Sequence, residues 1–140
     1  MIERVHEHII SELGTNSRTD TIFVLTGIIL NLLVLGINSI IALNASDDRA
    51  IDATSITVMV VLVALLIVVN LIVELGLVRG RQTRVKLLNS LLKMYKDQGV
   101  AKYYDPTLLS DYRTRYNLFM FGVIFIGIVA LIIPFVLLVT

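Results

Sequence analysis

Hydrophobic residues in this chain gather into three long blocks, separated by segments that hold nearly all of its charge. No Asp, Glu, Lys or Arg falls between Asp20 and Asp47, between Asp52 and Glu74, or after Arg115. The blocks cover 22–44, 56–78 and 117–139. Each is about 23 residues and roughly 34 Å long as a helix, enough to cross a hydrocarbon core about 30 Å thick. In lipid a segment must satisfy its own backbone hydrogen bonds, and these blocks lack the alternating polarity of barrel strands, so all three are predicted helices. The expected fold class is an all-α integral membrane protein in one membrane domain, 1–140. It has three transmembrane helices, a cytoplasmic helical hairpin between the second and third, and an N-terminal amphipathic helix over 2–13.

The connection 79–116 is too long for a simple turn. At 100° per residue, Val85, Leu87, Leu88, Leu91, Leu92, Met94 and Tyr95 fall on one half of a helix, and Lys86, Asn89, Ser90, Lys93, Lys96 and Asp97 on the other. Gly99 supplies a stop, and Asp105 followed by Pro106 makes an N-cap and first-turn pair. From there a helix runs unbroken into the third block with a narrower stripe of Leu108, Leu109, Tyr112, Tyr116 and Phe119. The connection is therefore predicted to be a hairpin turning at 99–105. Its first arm exposes an apolar arc of about 180°, wider than one partner helix covers. The rest of that arc has three possible covers: the membrane surface, with Gly80 letting the helix bend flat; the N-terminal face of Ile2, Val5, Ile9, Ile10 and Leu13; or the same arm of a neighbouring subunit. A mixture of the last two is expected, which makes self-association the default.

Charge sets the orientation. Of the 12 Lys and Arg, nine lie in 79–116, and none follows the third block. Basic residues are retained on the cytoplasmic side, so this connection and the N-terminus are expected inside, 45–55 and Thr140 outside. The N-terminal segment through Asp20 carries a net −2 against +6 for 79–116, which favours docking between them. Arg79, Arg81, Arg84, Lys86, Lys93 and Lys96 are expected to face lipid headgroups or a partner. A cleaved signal peptide is not expected, because the first apolar block is too long for a signal core and follows four acids.

Polar residues inside the blocks carry the remaining information. Asn31 and Asn38 share one face of the first span; Asn70 and Glu74 share one face of the second. From the cytoplasmic end Asn31 lies roughly 14 Å deep, Asn70 roughly 12 Å and Glu74 roughly 6 Å. Asn31 is thus expected opposite Asn70, with Gly27 leaving room for the Glu74 side chain. One interpretation is interhelical glue, with Glu74 snorkelling or pairing with Arg79, Arg81 or Arg115. The other is a path for cations, with Glu74 as a carboxylate ring at the inner mouth and Asn31, Asn38 and Asn70 deeper in. Gly76 and Gly80 would let a backbone approach closely, and Gly127, Ala130 and Pro134 share a face of the third span.

Composition sharpens the function classes. The chain is 56% hydrophobic and 16% charged with a mean hydropathy of +0.86, against about 25% charged for soluble domains. This excludes a soluble globular or disordered protein. There is no cysteine, and His6 and His8 lack the spacing of a zinc helix. No phosphate loop or nucleophile elbow is present, so neither an enzyme nor a cofactor or metal site is expected. The basic stretch has no nucleic-acid motif, and its charges suit topology and lipid. The acids Asp47, Asp48 and Asp52 match no calcium-loop spacing. Two functions stand: a homo-oligomeric, cation-permeable pore, or a non-conducting scaffold or assembly subunit whose hairpin docks a partner or anionic lipid.

Overall fold

A computed structural model describes residues 1–47 and 53–139, with side chains at 46 and 47 outside the description. The outer acids Asp48 and Asp52 lie outside the described residues. Those described form α1 (Ile2–Asp47), α2 (Ala53–Asp97), a short 3-10 turn (Ala101–Tyr103) and α3 (Leu108–Val139). All three α-helices are long and apolar enough to cross a membrane.

The N-terminal segment is not a separate helix. It is continuous with the first apolar block, because between Leu13 and Ile22 the chain holds no proline, and Thr19 and Thr21 fold their hydroxyls back onto the carbonyls of Thr15 and Ser17. Likewise α2 is not interrupted at Gly80 but continues to Asp97. It ends where Gly99 takes a left-handed φ of 71°, with Gly99 N donating to Lys96 O at 3.1 Å and Val100 N to Tyr95 O at 2.9 Å. That is the paired closure of a helix end that glycine allows. Asp105 accepts from the backbone N of Thr107 at 2.9 Å and from its hydroxyl at 2.8 Å just before α3 begins. Those two bonds hold the Asp105 carboxyl below its ordinary pKa.

The helices pack along seams in which buried residues recur at seven-residue intervals, as in Asp20, Gly27 and Val34 of α1 and Tyr116, Val123 and Ala130 of α3, a heptad spacing. From Asp20 onward the buried positions of α1 are Asp20, Gly27, Asn31, Val34, Asn38, Ala42 and Ala45; on α3 they are Tyr116, Val123, Gly127, Ala130 and Pro134. Phe119 turns outward, and Met120 takes its place on the seam, packed against Val73, Leu77 and Val123. Val34, Leu66 and Ala130 form one apolar layer, and Val73, Leu77 and Val123 another. Helix α1 lies along both others, while α2 and α3 touch less. Outside these seams the blocks present a shell of exposed Ile, Leu, Val and Phe, a surface suited to lipid and not to water.

Candidate functional site

Two polar layers are set into the seams, one at the basic end of the spans and one within them. At the basic end, Asp20 of α1 and Tyr116 of α3 are only 6% and 2% exposed, and the Tyr116 hydroxyl donates to Asp20 Oδ2. Asn16 Nδ2, one turn earlier on α1, points at Asp20 Oδ2, the Tyr116 hydroxyl and the carbonyl of Gly80 on α2, each at 3.2 Å. Gly80 makes room for the acid: a Cβ there would strike the Asp20 carboxylate. Gly76 does the same for Phe23, whose ring lies 2.8 Å from where a Cβ would stand. The small residues of α2 thus admit side chains of α1, not a bare backbone.

Asp20 and Tyr116 flank the apolar blocks without lying inside them. Burial raises the Asp20 carboxyl, and the Tyr116 hydrogen bond and the Arg84 charge pull it back only in part. Burial, with Asp20 as acceptor and charge, raises the Tyr116 phenol. Arg84 is half-buried and lies against α3. Its guanidinium lies 4.6 Å from the centre of the Tyr112 ring, and its Nε is buried without a hydrogen-bond partner. The cause is register, because Arg84 stands one heptad before the buried Leu91.

Within the spans, Asn31 and Asn70 form a reciprocal amide pair: Asn31 Nδ2 to Asn70 Oδ1 at 2.9 Å and Asn70 Nδ2 to Asn31 Oδ1 at 2.8 Å. Asn70 Nδ2 also donates to the carbonyl of Leu66 at 2.9 Å. Gly127 of α3 backs the pair, and a Cβ on it would come within 3.1 Å of Asn70 Oδ1. Asn38 is fully buried, and neither its Oδ1 nor its Nδ2 has a hydrogen-bond partner.

Gly27 does not accommodate Glu74. A Cβ on Gly27 would meet Val73 and Val123 at 3.2 Å, so the glycine brings the three helices together, and Glu74 is turned one position away on α2. Glu74 instead lines an open groove of about 300 Å³ between α2 and α3, with Asn70, Ile67, Leu71, Ile124, Gly127 and Ile128. Its Oε1 is buried and lacks a hydrogen-bond partner, so the expected pairing with Arg79, Arg81 or Arg115 is not made there. Arg81 donates to Asn117 Oδ1 of α3 at 2.9 Å. Arg79, Lys86, Lys93 and Lys96 are exposed.

Beyond the spans, every residue assigned to the apolar half of 85–98 is buried or half-buried, and every one assigned to the polar half is exposed. In the N-terminal part of α1, Ile9 is buried, and His6 Nε2 meets this arm 3.2 Å from the Tyr95 hydroxyl. No three His, Cys, Asp or Glu side chains among the described residues group as metal ligands. No family model, curated protein or solved structure matches the chain.

Proposed function

We propose that this chain is a non-conducting membrane scaffold or assembly subunit, anchored by three spans and presenting a basic helical layer that docks a partner or anionic lipid. The carrying observation is where the membrane amides go. Asn31 and Asn38, 1% and 0% exposed, face the interior of a single three-helix protomer, and Asn31 spends its hydrogen bonds on Asn70. Side chains committed in this way are not free to line a path between subunits. The concentration of Lys and Arg in 79–116 supports a cytoplasmic N-terminus and basic layer, with the C-terminus outside. In that orientation 2–13 is the amphipathic first part of α1, lying beside the hairpin 79–116.

A second reading, the homo-oligomeric cation pore, keeps one supporting observation: Asn70 and Glu74 both reach the open α2–α3 groove. Liposomes containing the purified protein separate the two. The scaffold predicts no cation flux, and flux that falls with Glu74→Gln would overturn it in favour of the pore. Stoichiometry in nanodiscs reads self-association. For orientation, a cysteine at Asp48→Cys should be labelled from outside and one at Lys93→Cys should not.

A further inference from the structure

The weaker contact between α2 and α3 leaves a seam with two hollows in line. The inner one is the groove that begins at Glu74 and continues between Ile67 and Ile128. The outer one, about 400 Å³, lies between Arg81 and Lys86 of α2 and Arg113 of α3. Positions 67, 71, 74, 81 and 85 recur every three or four residues except across one two-turn step, so they follow a single stripe of α2. The Arg81–Asn117 bond crosses the seam between the hollows.

Their depths match one leaflet. Counting from 78 and 117, Arg81 and Arg113 stand about 4 to 6 Å outside the hydrocarbon, inside a headgroup layer about 5 to 8 Å thick. Ile67 and Ile128 stand about 16 Å inside, close to the midplane of a core about 30 Å thick. We propose that this seam binds one anionic phospholipid of the cytoplasmic leaflet, its phosphate between Arg81 and Arg113 and one acyl chain in the inner hollow. Guanidinium forks suit phosphate oxygens, and Arg81 retains donors beyond the one given to Asn117. Three basic side chains against one Glu74 leave a net positive seam, which selects a net anionic headgroup over a zwitterionic one. Glu74, with its unpartnered Oε1, stands about 6 Å inside the core, nearer the interfacial boundary than the acyl chain end.

The site deepens the lipid arm of the function proposed above and rests on its orientation, which the Lys93→Cys labelling reads separately. The purified full-length protein, offered equal phosphatidylglycerol and phosphatidylcholine, is examined by native mass spectrometry. Phosphatidylglycerol adducts should be retained about tenfold or more over phosphatidylcholine, since each basic residue at an anionic headgroup contributes about a factor of five. Arg81→Gln with Arg113→Gln should abolish the preference. Arg113→Gln alone, at an exposed position, should reduce it if the double variant does not fold. Arg4→Gln, at an exposed position of α1 beyond the headgroup layer, should leave it intact, and Ile128→Trp should reduce adducts of both lipids by filling the inner hollow. Equal retention of the two lipids, a preference surviving loss of both arginines, loss of preference in Arg4→Gln, or displacement by inorganic phosphate alone would each overturn the site.

Discussion

The Tyr116 hydroxyl of α3 donates to the carboxylate of Asp20 on α1, and both side chains are buried where the apolar blocks begin. Asn16 and the Gly80 carbonyl close the arrangement, so all three helices meet at one acid. A buried polar group left without partners costs far more than a paired one gains, which makes this junction sensitive to single substitutions.

Tyr116→Phe is therefore expected to lower stability by about 1 to 3 kcal/mol, because it removes the donor and leaves the ring in place. Denaturant unfolding in detergent, followed by circular dichroism, measures it. A variant as stable as the wild type would show that the carboxylate finds an equal partner elsewhere.

Asp20 also gives stability a pH dependence of defined sign. Its folded carboxyl is raised above the ordinary 3.8, so the stability it contributes is complete below that value and is lost as pH rises through the raised one. Asp20→Asn has no such proton to lose. The difference in thermal midpoint between Asp20→Asn and wild type should thus move in favour of the variant as pH is raised from acid to neutral. A difference constant with pH would contradict the shift.

The three spans were legible because charge is excluded from hydrocarbon, and the ends of α2 and α3 because Gly99 and Asp105 act locally. Asn31 opposite Asn70 followed from depth alone. Depth says nothing about rotation, however, and so Gly27 was matched with Glu74 when it packs against Val73 and Val123. By charge alone Asp20 marks the edge of a span and Arg84 belongs to a basic cluster. Yet Asp20, Gly27, Asn31, Val34 and Asn38 keep one heptad register, and extending that register past the charge boundary would have placed Asp20 inside.

For the amide pair, Asn31→Leu or Asn70→Leu alone should cost about 0.6 to 1.7 kcal/mol, the range measured for such bonds in membrane bundles. The double replacement should cost less than the sum, because neither amide is then left unpaired. A double-mutant cycle reads the coupling directly, and strictly additive losses would refute it. Because the pair lies within one protomer, the stoichiometry in nanodiscs should not change.

Glycines supply an internal control. Gly36 and Gly122 have nothing within 4 Å of an added Cβ, so Gly36→Ala and Gly122→Ala should be neutral or gain up to about 1 kcal/mol from helix propensity. Gly80→Ala gains the same propensity but drives its methyl into the Asp20 carboxylate and should be destabilised on balance. Thermal midpoints of the three variants under one condition test the ordering, and an equally stable Gly80→Ala would show that Asp20 moves aside freely.

In the N-terminal part of α1, Ile9 is buried, and His6 meets Tyr95 of the basic arm with ring centres 6.0 Å apart. Opposite net charges favour the approach at long range, whereas burial of Ile9 holds the contact once made. Ile9→Asn should therefore expose 2–13 to protease, with cleavage rising several-fold as the local closed state loses about 1 to 2 kcal/mol. Raising salt from low to molar concentration should shorten the range of the charge attraction to about 3 Å and yet leave protection of the wild-type segment largely intact. Protection lost in salt but kept in Ile9→Asn would reverse the order of the two forces.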